Sequence, residues 1–280
     1  MKNIVFSDID GTLIVKMDDD TAQKYGEKEE LIKISKTKNG CSYMTKKNNQ
    51  FMKQLDEKME FVLVTSRGQE SYECIDWGFT PKHILIEGGS VLLTNGIKDL
   101  NWDNDIKEIM GKDFELLQLL RDQVCNLGYG MKYENNEYLL DFLDIDFKKN
   151  KDAEQKKAKF EETKNKLCEN SIIKEKFNIY SHSNGMMIVH KKLEKGEMIK
   201  KYIKQFADKE KVTTISAGDS KTDSTMFNIT DYSFGPVNSG ATYEYEFDGS
   251  SESKLGFTTF ILEGINKIQE KIHTDIEKTL

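Results

Sequence analysis

The apolar run IVF at residues 4–6 leads into Ser7, Asp8, Ile9, Asp10, Gly11 and Thr12, placing two carboxylates at the end of a stretch with no polar alternation. The same transition recurs three times. FVLV at 61–64 runs into Thr65, Ser66 and Arg67, and HILI at 83–86 runs into Glu87, Gly88 and Gly89. VTTIS at 212–216 runs on to Gly218, Asp219, Ser220 and Asp223. Short apolar or β-branched runs of this kind read as strands buried on both faces, as in a parallel sheet covered by helices. In open α/β folds the crevice beyond the carboxyl ends of such strands is the expected ligand site.

The segments between the runs supply the covering helices. Residues 46–58 read as a short helix delivering the chain to FVLV, and Lys195–Asp208 spaces Met198, Ile199, Tyr202, Ile203 and Phe206 along one helical face. The middle of the chain differs. Residues 128–145 read as two strands around the polar ENNE, and 177–192 as a hairpin turning at Asn184 and Gly185. The charged stretch between them reads as a surface helix on an antiparallel sheet. The expected fold class is therefore α/β, a Rossmann-like parallel-sheet core of residues 1–98 and 191–280, interrupted by an α+β domain of residues 99–190 with an antiparallel sheet. Residues 16–45 have no clear core pattern and read as a solvated excursion or a loop near the site, with Asp18, Asp19 and Asp20 as solvated acids.

Composition bounds the function. With 48 acidic against 41 basic residues the net charge is −7, which gives no general attraction for nucleic acid or an anionic membrane. The first residues lack a signal-peptide pattern and no run is long enough to span a membrane, so a cytoplasmic protein is expected. Cys41, Cys74, Cys125 and Cys168 are widely spaced without a CxxC pair, and read as reduced packing residues.

Asp8, Asp10 and Asp219 together form a hard, oxygen-rich set suited to Mg²⁺ beside a phosphate. One carboxylate is then available to attack phosphorus and another to exchange a proton, with Thr65 and Lys195 offering a hydrogen bond and a positive charge to the phosphoryl oxygens. Each aspartate taken alone reads equally as an Asx-turn or helix cap. Lys195 opens a helix, where a cation is disfavoured, and reads either as a solvated lysine or as a charge demanded by the crevice.

With these residues the chain resembles the haloacid dehalogenase superfamily of phosphohydrolases, in particular the Cof and sucrose-phosphatase-like group with a large α+β cap. The DxDGT motif matches Asp8–Thr12, the hydroxyl motif matches Thr65 followed by Arg67, the lysine motif matches Lys195 in LEKGEM, and GDSxxD matches Gly218, Asp219, Ser220 and Asp223. The resemblance implies Asp8 as nucleophile, Asp10 as general acid/base, Thr65 and Lys195 as phosphoryl-stabilising catalytic residues, and Asp8, Asp10, Asp219 and Asp223 as the Mg²⁺ site, Asp223 either as a ligand or as a partner behind the ligands. Two positions depart from the pattern: Ser66 replaces the glycine of TGR, and Glu87 stands where relatives often have asparagine. Ser66, Arg67 and Glu87 are thus expected at the substrate floor, Glu87 with a structural role as its alternative.

A cap implies that its inward loops meet the substrate beyond the phosphate, with Lys132, Tyr133, His182 and Asn184 as candidate contacts. Each of the four also reads as a surface or hairpin residue. The expected partner is a small phosphorylated metabolite, preferentially a sugar phosphate, with no nucleic acid or membrane, handled by a monomer or weak dimer. The expected activity is hydrolysis of phosphate monoesters through a phosphoaspartyl intermediate. A phosphohexomutase is the alternative, and a non-catalytic phosphometabolite-binding protein the third reading.

Overall fold

The computed structural model describes residues 2–37, 40–132, 135–144, 153–182, 185–207 and 212–277. The chain begins with β1 (Lys2–Ser7), β2 (Val15–Met17), α1 (Asp19–Gly26), β3 (Leu31–Thr37), β4 (Gly40–Thr45), α2 (Lys46–Lys58) and β5 (Glu60–Val64). It continues through α3 (Gln69–Glu73), β6 (His83–Ile86), β7 (Val91–Thr94), β8 (Ile97–Lys98), α4 (Leu100–Met110) and α5 (Asp113–Asn126). The middle holds β9 (Tyr129–Met131), β10 (Leu139–Asp144), α6 (Ala153–Glu169), α7 (Ser171–Lys176), β11 (Phe177–His182) and β12 (Gly185–His190). The chain then runs through α8 (Lys195–Phe206), β13 (Val212–Ala217), α9 (Ser224–Phe227), β14 (Tyr232–Pro236), β15 (Tyr243–Tyr245) and α10 (Ser251–Glu277).

An eight-stranded sheet in the order β15-β14-β13-β1-β5-β6-β7-β8 forms the core, parallel as far as β6, with β7 and β8 antiparallel at one edge. All four apolar runs lie in its parallel part. Phe61, Val62, Leu63 and Val64 are buried on both faces, and each such side chain stabilises the fold by about 1.5–3 kcal/mol relative to exposure. Helix α2 starts where the Thr45 side chain accepts from Asn48 N, and it buries Met52 and Leu55. Helix α8 buries Met198, Ile199, Tyr202 and Ile203 at helical spacing, as the sequence predicts.

The second sheet is four-stranded and antiparallel in the order β11-β12-β10-β9. The architecture is thus α/β, a Rossmann-like core joined to an antiparallel-sheet region whose strands lie between β8 and α8. No described helix is long and apolar enough to cross a membrane.

Residues 15–45 depart from the expected solvated excursion. They form a three-stranded antiparallel sheet, β2-β4-β3, with α1 beside it, and Val15, Met17, Ala22 and Tyr43 pack with Leu255 of α10 into a small core of their own. Asp18 is the N-cap of α1, accepting from Thr21 N at 2.8 Å. That core escapes a linear reading because Leu255 closes it from the other end of the chain. The four thiols are free, but Cys74 and Cys125 are exposed rather than packed.

Candidate active site

Asp8 follows β1 directly, its N–H donating to Ala217 O at 2.9 Å, so the neighbouring strands β1 and β13 fix where its carboxylate lies. Asp219 and Asp223 come from the loop after β13. One oxygen each of Asp8, Asp219 and Asp223 lies within 4.8 Å of the others. Gly11, at φ +86°, makes this approach possible, because a Cβ there would come within 2.1 Å of Asp219 Oδ2. Gly218 has the same role for Asp223, with 2.2 Å from its would-be Cβ to Asp223 Cβ.

Lys195 bridges the group. Its Nζ donates to Asp8 Oδ1 and to Asp223 Oδ1, both at 2.6 Å, and Asp8, Asp223 and Lys195 are all buried. Gly196 lets the start of α8 come this close, since a Cβ at that position would meet Thr225 O at 2.3 Å. Burial by itself disfavours the Lys195 ammonium, but Asp223 and Asp8 outweigh it and hold the pKa above the ordinary lysine value. Burial also pushes the Asp8 carboxyl well up; Lys195 opposes the shift, while Asp223 and Asp219 add to it. Asp219 is pushed up to about 7 by burial and then by Asp223. Three carboxylates against one ammonium leave the cluster short of positive charge.

Asp10 is placed differently. Arg67 grips both of its oxygens in a fork, Nε to Oδ2 and Nη2 to Oδ1 at 2.6 Å each. The Arg67 side chain is 7% exposed and that of Asp10 49%, so a buried guanidinium presents a half-exposed carboxylate to the crevice. Arg67, expected at the substrate floor, has its Nε and Nη2 on Asp10 and its Nη1 on Ser71 O. The Asp10 carboxylate is not one of the three grouped oxygens. Thr65, buried at the end of β5, accepts from Arg67 N at 3.1 Å through its hydroxyl and keeps the hydroxyl hydrogen for another acceptor.

Ser66 lines a narrow crevice with Gly88, Lys195 and Thr222, whose opposite wall is Leu139, Met187 and Val189 from the antiparallel sheet. Tyr180 stands at the same crevice, and its hydroxyl donates to Glu194, which Asn178 Nδ2 also meets at 2.5 Å. Glu87 is buried at the end of β6. Its Oε2 accepts from Glu137 N and Tyr138 N, both at 2.9 Å, which is the arrangement the structural alternative calls for. Lys132 donates to the buried Asp141 at 2.9 Å. His182 pairs through its backbone with Gly185, while Tyr133 and Asn184 lie outside the described residues.

Three hydroxyl residues hold the aspartates and their turn in place. Thr12 Oγ1 donates to Asp8 Oδ2 at 3.1 Å and lies 3.5 Å from Asp219 Oδ1. Ser220 ties down Asp223 through N and Oγ, at 2.9 and 2.5 Å. Thr258 of α10 donates to Thr12 O at 2.9 Å, anchoring the turn from below. Thr12 and Ser220 sit inside motifs that signal them; Thr258 carries no local signal.

A family model described as haloacid dehalogenase-like hydrolase matches residues 129–241, which include β9–β14, Lys195, Asp219 and Asp223. Solved structures share the fold across nearly the whole chain. Sucrose-phosphatase from Synechocystis sp. PCC6803 is 14% identical with TM-score 0.58, covering 94% of this chain and 99% of that one. The C-terminal domain of C. albicans trehalose-6-phosphate phosphatase is also 14% identical with TM-score 0.58, covering 94% and 92%. A trehalose-6-phosphate phosphatase related protein is 15% identical with TM-score 0.51, covering 95% and 100%. No curated protein matches this chain in sequence.

Proposed function

We propose that this hydrolase is a Mg²⁺-dependent phosphatase of small phosphate monoesters, sugar phosphates first among them, working through a phosphoaspartyl intermediate. The carrying observation is the Asp8–Lys195–Asp223 bridge beside Asp219, with Asp10 held next to it by Arg67. The likeness in fold to sucrose- and trehalose-phosphate phosphatases supports the sugar-phosphate class.

The residues fit Mg²⁺. The donors are hard carboxylate oxygens, they are under-neutralised, and Gly11 clears space at Asp219 that a side chain would fill. Asp8, Asp219 and Asp223 would hold the ion, which when bound supplies positive charge against the phosphoryl oxygens.

The chain's own groups carry the steps. An Asp8 oxygen attacks phosphorus in line; the ester P–O bond breaks and its electron pair leaves with the alcohol oxygen, which takes a proton from Asp10. Two lone-pair sites of the Asp10 carboxylate are taken by Arg67 and the others stay open to the crevice. Asp10 then takes a proton from water as the water oxygen attacks phosphorus, releasing inorganic phosphate and restoring Asp8. Lys195 and the Thr65 hydroxyl stabilise the phosphoryl charge, and the Leu139–Met187–Val189 wall keeps bulk water out.

The test is phosphate release from a panel of sugar, nucleotide and cofactor phosphates with and without Mg²⁺, with Asp8→Asn alongside. Metal-dependent release lost in the variant is the expected result. Interconversion of hexose phosphates without release would instead establish the mutase, and inactivity of folded, magnesium-loaded protein on every substrate would end the catalytic reading.

A further inference from the structure

Glu87 holds a backbone conformation that side-chain-bearing residues rarely adopt, φ 52°, followed by Gly88 at φ 73°. Backbone bonds hold it there. Its N–H donates to Arg67 O at 2.9 Å and the next N–H, of Gly88, to Thr65 O at 2.8 Å, so the strained turn is fused to the loop that carries Thr65 and Arg67. Only 4% exposed, the side chain spends one oxygen on the consecutive N–H groups of Glu137 and Tyr138.

Those two residues end the loop between β9 and β10, and the same loop touches the Arg67 turn and the start of α3 at two more places and α4 at a third. Asn136, 3% exposed, lies on Gly68, where a Cβ would come within 2.0 Å of Asn136 Oδ1. Asn135 Nδ2 donates to Glu70 at 2.5 Å, and the Tyr138 hydroxyl donates to Asp103 at 2.9 Å. Asn136 Nδ2 is buried without a partner, so the docked loop carries an unsatisfied donor beside the residue that follows Arg67.

We propose that Glu87 is a positioning residue that fastens the Asn135–Tyr138 loop onto the Thr65–Gly68 turn and thereby sets the leaving-group side of the crevice. The proposal takes that crevice as the catalytic one, as inferred above. One Glu87 oxygen accepts both consecutive N–H groups, and the short relay from Glu87 N to Arg67 O to the Arg67–Asp10 fork makes the docked loop and the acid one unit. The charged groups around it are spoken for: Glu137 and Asp103 meet Lys98, Asp103 also meets Lys107, and Arg67 meets Asp10.

Burial raises the Glu87 carboxyl to about 7, against the opposing pull of the Tyr138 and Glu137 N–H groups. The docked state therefore binds the Glu87 proton more tightly than a lifted loop in which Glu87 is solvated. Docking is strongest below the ordinary glutamate value and weakens as pH rises through about 7.

The experiment measures amide hydrogen exchange at Glu137 and Tyr138, and kcat and KM for glucose 6-phosphate, between pH 5 and 9 in wild type, Glu87→Gln and Glu87→Ala. In wild type, exchange corrected for its intrinsic pH dependence and KM both rise across pH 7. Glu87→Gln, which retains an acceptor without a titrating charge, flattens that rise, and Glu87→Ala raises exchange and KM by about tenfold at every pH. Wild-type protection at both amides in the glutamine and alanine variants alike overturns the proposal. Exchange needs no turnover, so an inactive but protected wild type would refute the phosphatase reading and leave the fastening standing. Should Glu87→Ala fail to fold, the pH dependence of exchange in Glu87→Gln decides alone: flat supports the proposal, wild-type-like refutes it.

Discussion

Glu60 at the amino end of β5 and Asp8 at the carboxyl end of β1 are both buried carboxylates on neighbouring strands, but their partners differ. Glu60 meets His83 Nδ1 at 3.1 Å and the Tyr202 hydroxyl, which also meets His83. One acid there is satisfied by neutral or neutralising donors, and burial followed by Glu60 holds the Tyr202 phenol well above its ordinary pKa. At the other end Asp8 shares Lys195 with Asp223 while Asp219 stands close by. The first cluster is closed and stabilises the fold. The second crowds three carboxylates around one ammonium, so burial and mutual repulsion raise Asp8 and Asp219 towards taking up a proton, which sets it apart from a satisfied structural network.

The sharpest break of that contrast is Asp8→Asn, expected to lower phosphate release by more than about a thousandfold with the fold retained. Release within tenfold of wild type would remove Asp8 from the chemistry. Next comes Lys195→Met, which leaves the buried carboxylates without their ammonium: the expectation is about 3–5 kcal/mol lost in denaturant unfolding and about a hundredfold in kcat. Glu60→Gln should cost about 1–2 kcal/mol of stability and leave kcat and KM unchanged; a kinetic defect would make the two ends one functional network.

The smallest effect is a pH slope. Asp219 is raised to about 7 in the folded state and Asp8 is raised as well, so the metal-free native state binds more protons than the unfolded chain between the ordinary aspartate value and about 7. Stability contributed by these groups is greatest at acid pH and declines as pH rises through that window. Melting of metal-free protein should thus shift by about a few degrees upward between pH 7.5 and 5, and Mg²⁺ at pH 7.5 should recover the difference. A melting point independent of both would show that the cluster is not electrostatically strained.

The four strand ends were legible because both signals are local: an unbroken apolar run implies a strand covered on both faces, and an abrupt change to Asp, Thr or Glu-Gly marks where it leaves the core. Helix α2 and the hairpin of β11 and β12 were legible for the same reason. The Arg67–Asp10 fork joins residues 57 apart, the Glu87–Glu137 bond spans 50, and Thr258 reaches Thr12 across 246. None of these pairings leaves a trace in spacing. The small sheet of residues 15–45 was missed because its apolar positions are few and its core is completed by Leu255.

The sequence by itself determined the inventory: which carboxylates, hydroxyls and lysine stand at the ends of buried strands, and therefore that phosphoryl chemistry with a hard cation was the reading to test. Tertiary structure alone decided the pairing. Arg67 pairs with Asp10, Glu87 with the N–H groups of Glu137 and Tyr138, and Lys195 with both Asp8 and Asp223. A side chain's chemistry is a property of one residue, whereas a charge pair depends on distance and burial, which packing sets between residues far apart in the chain.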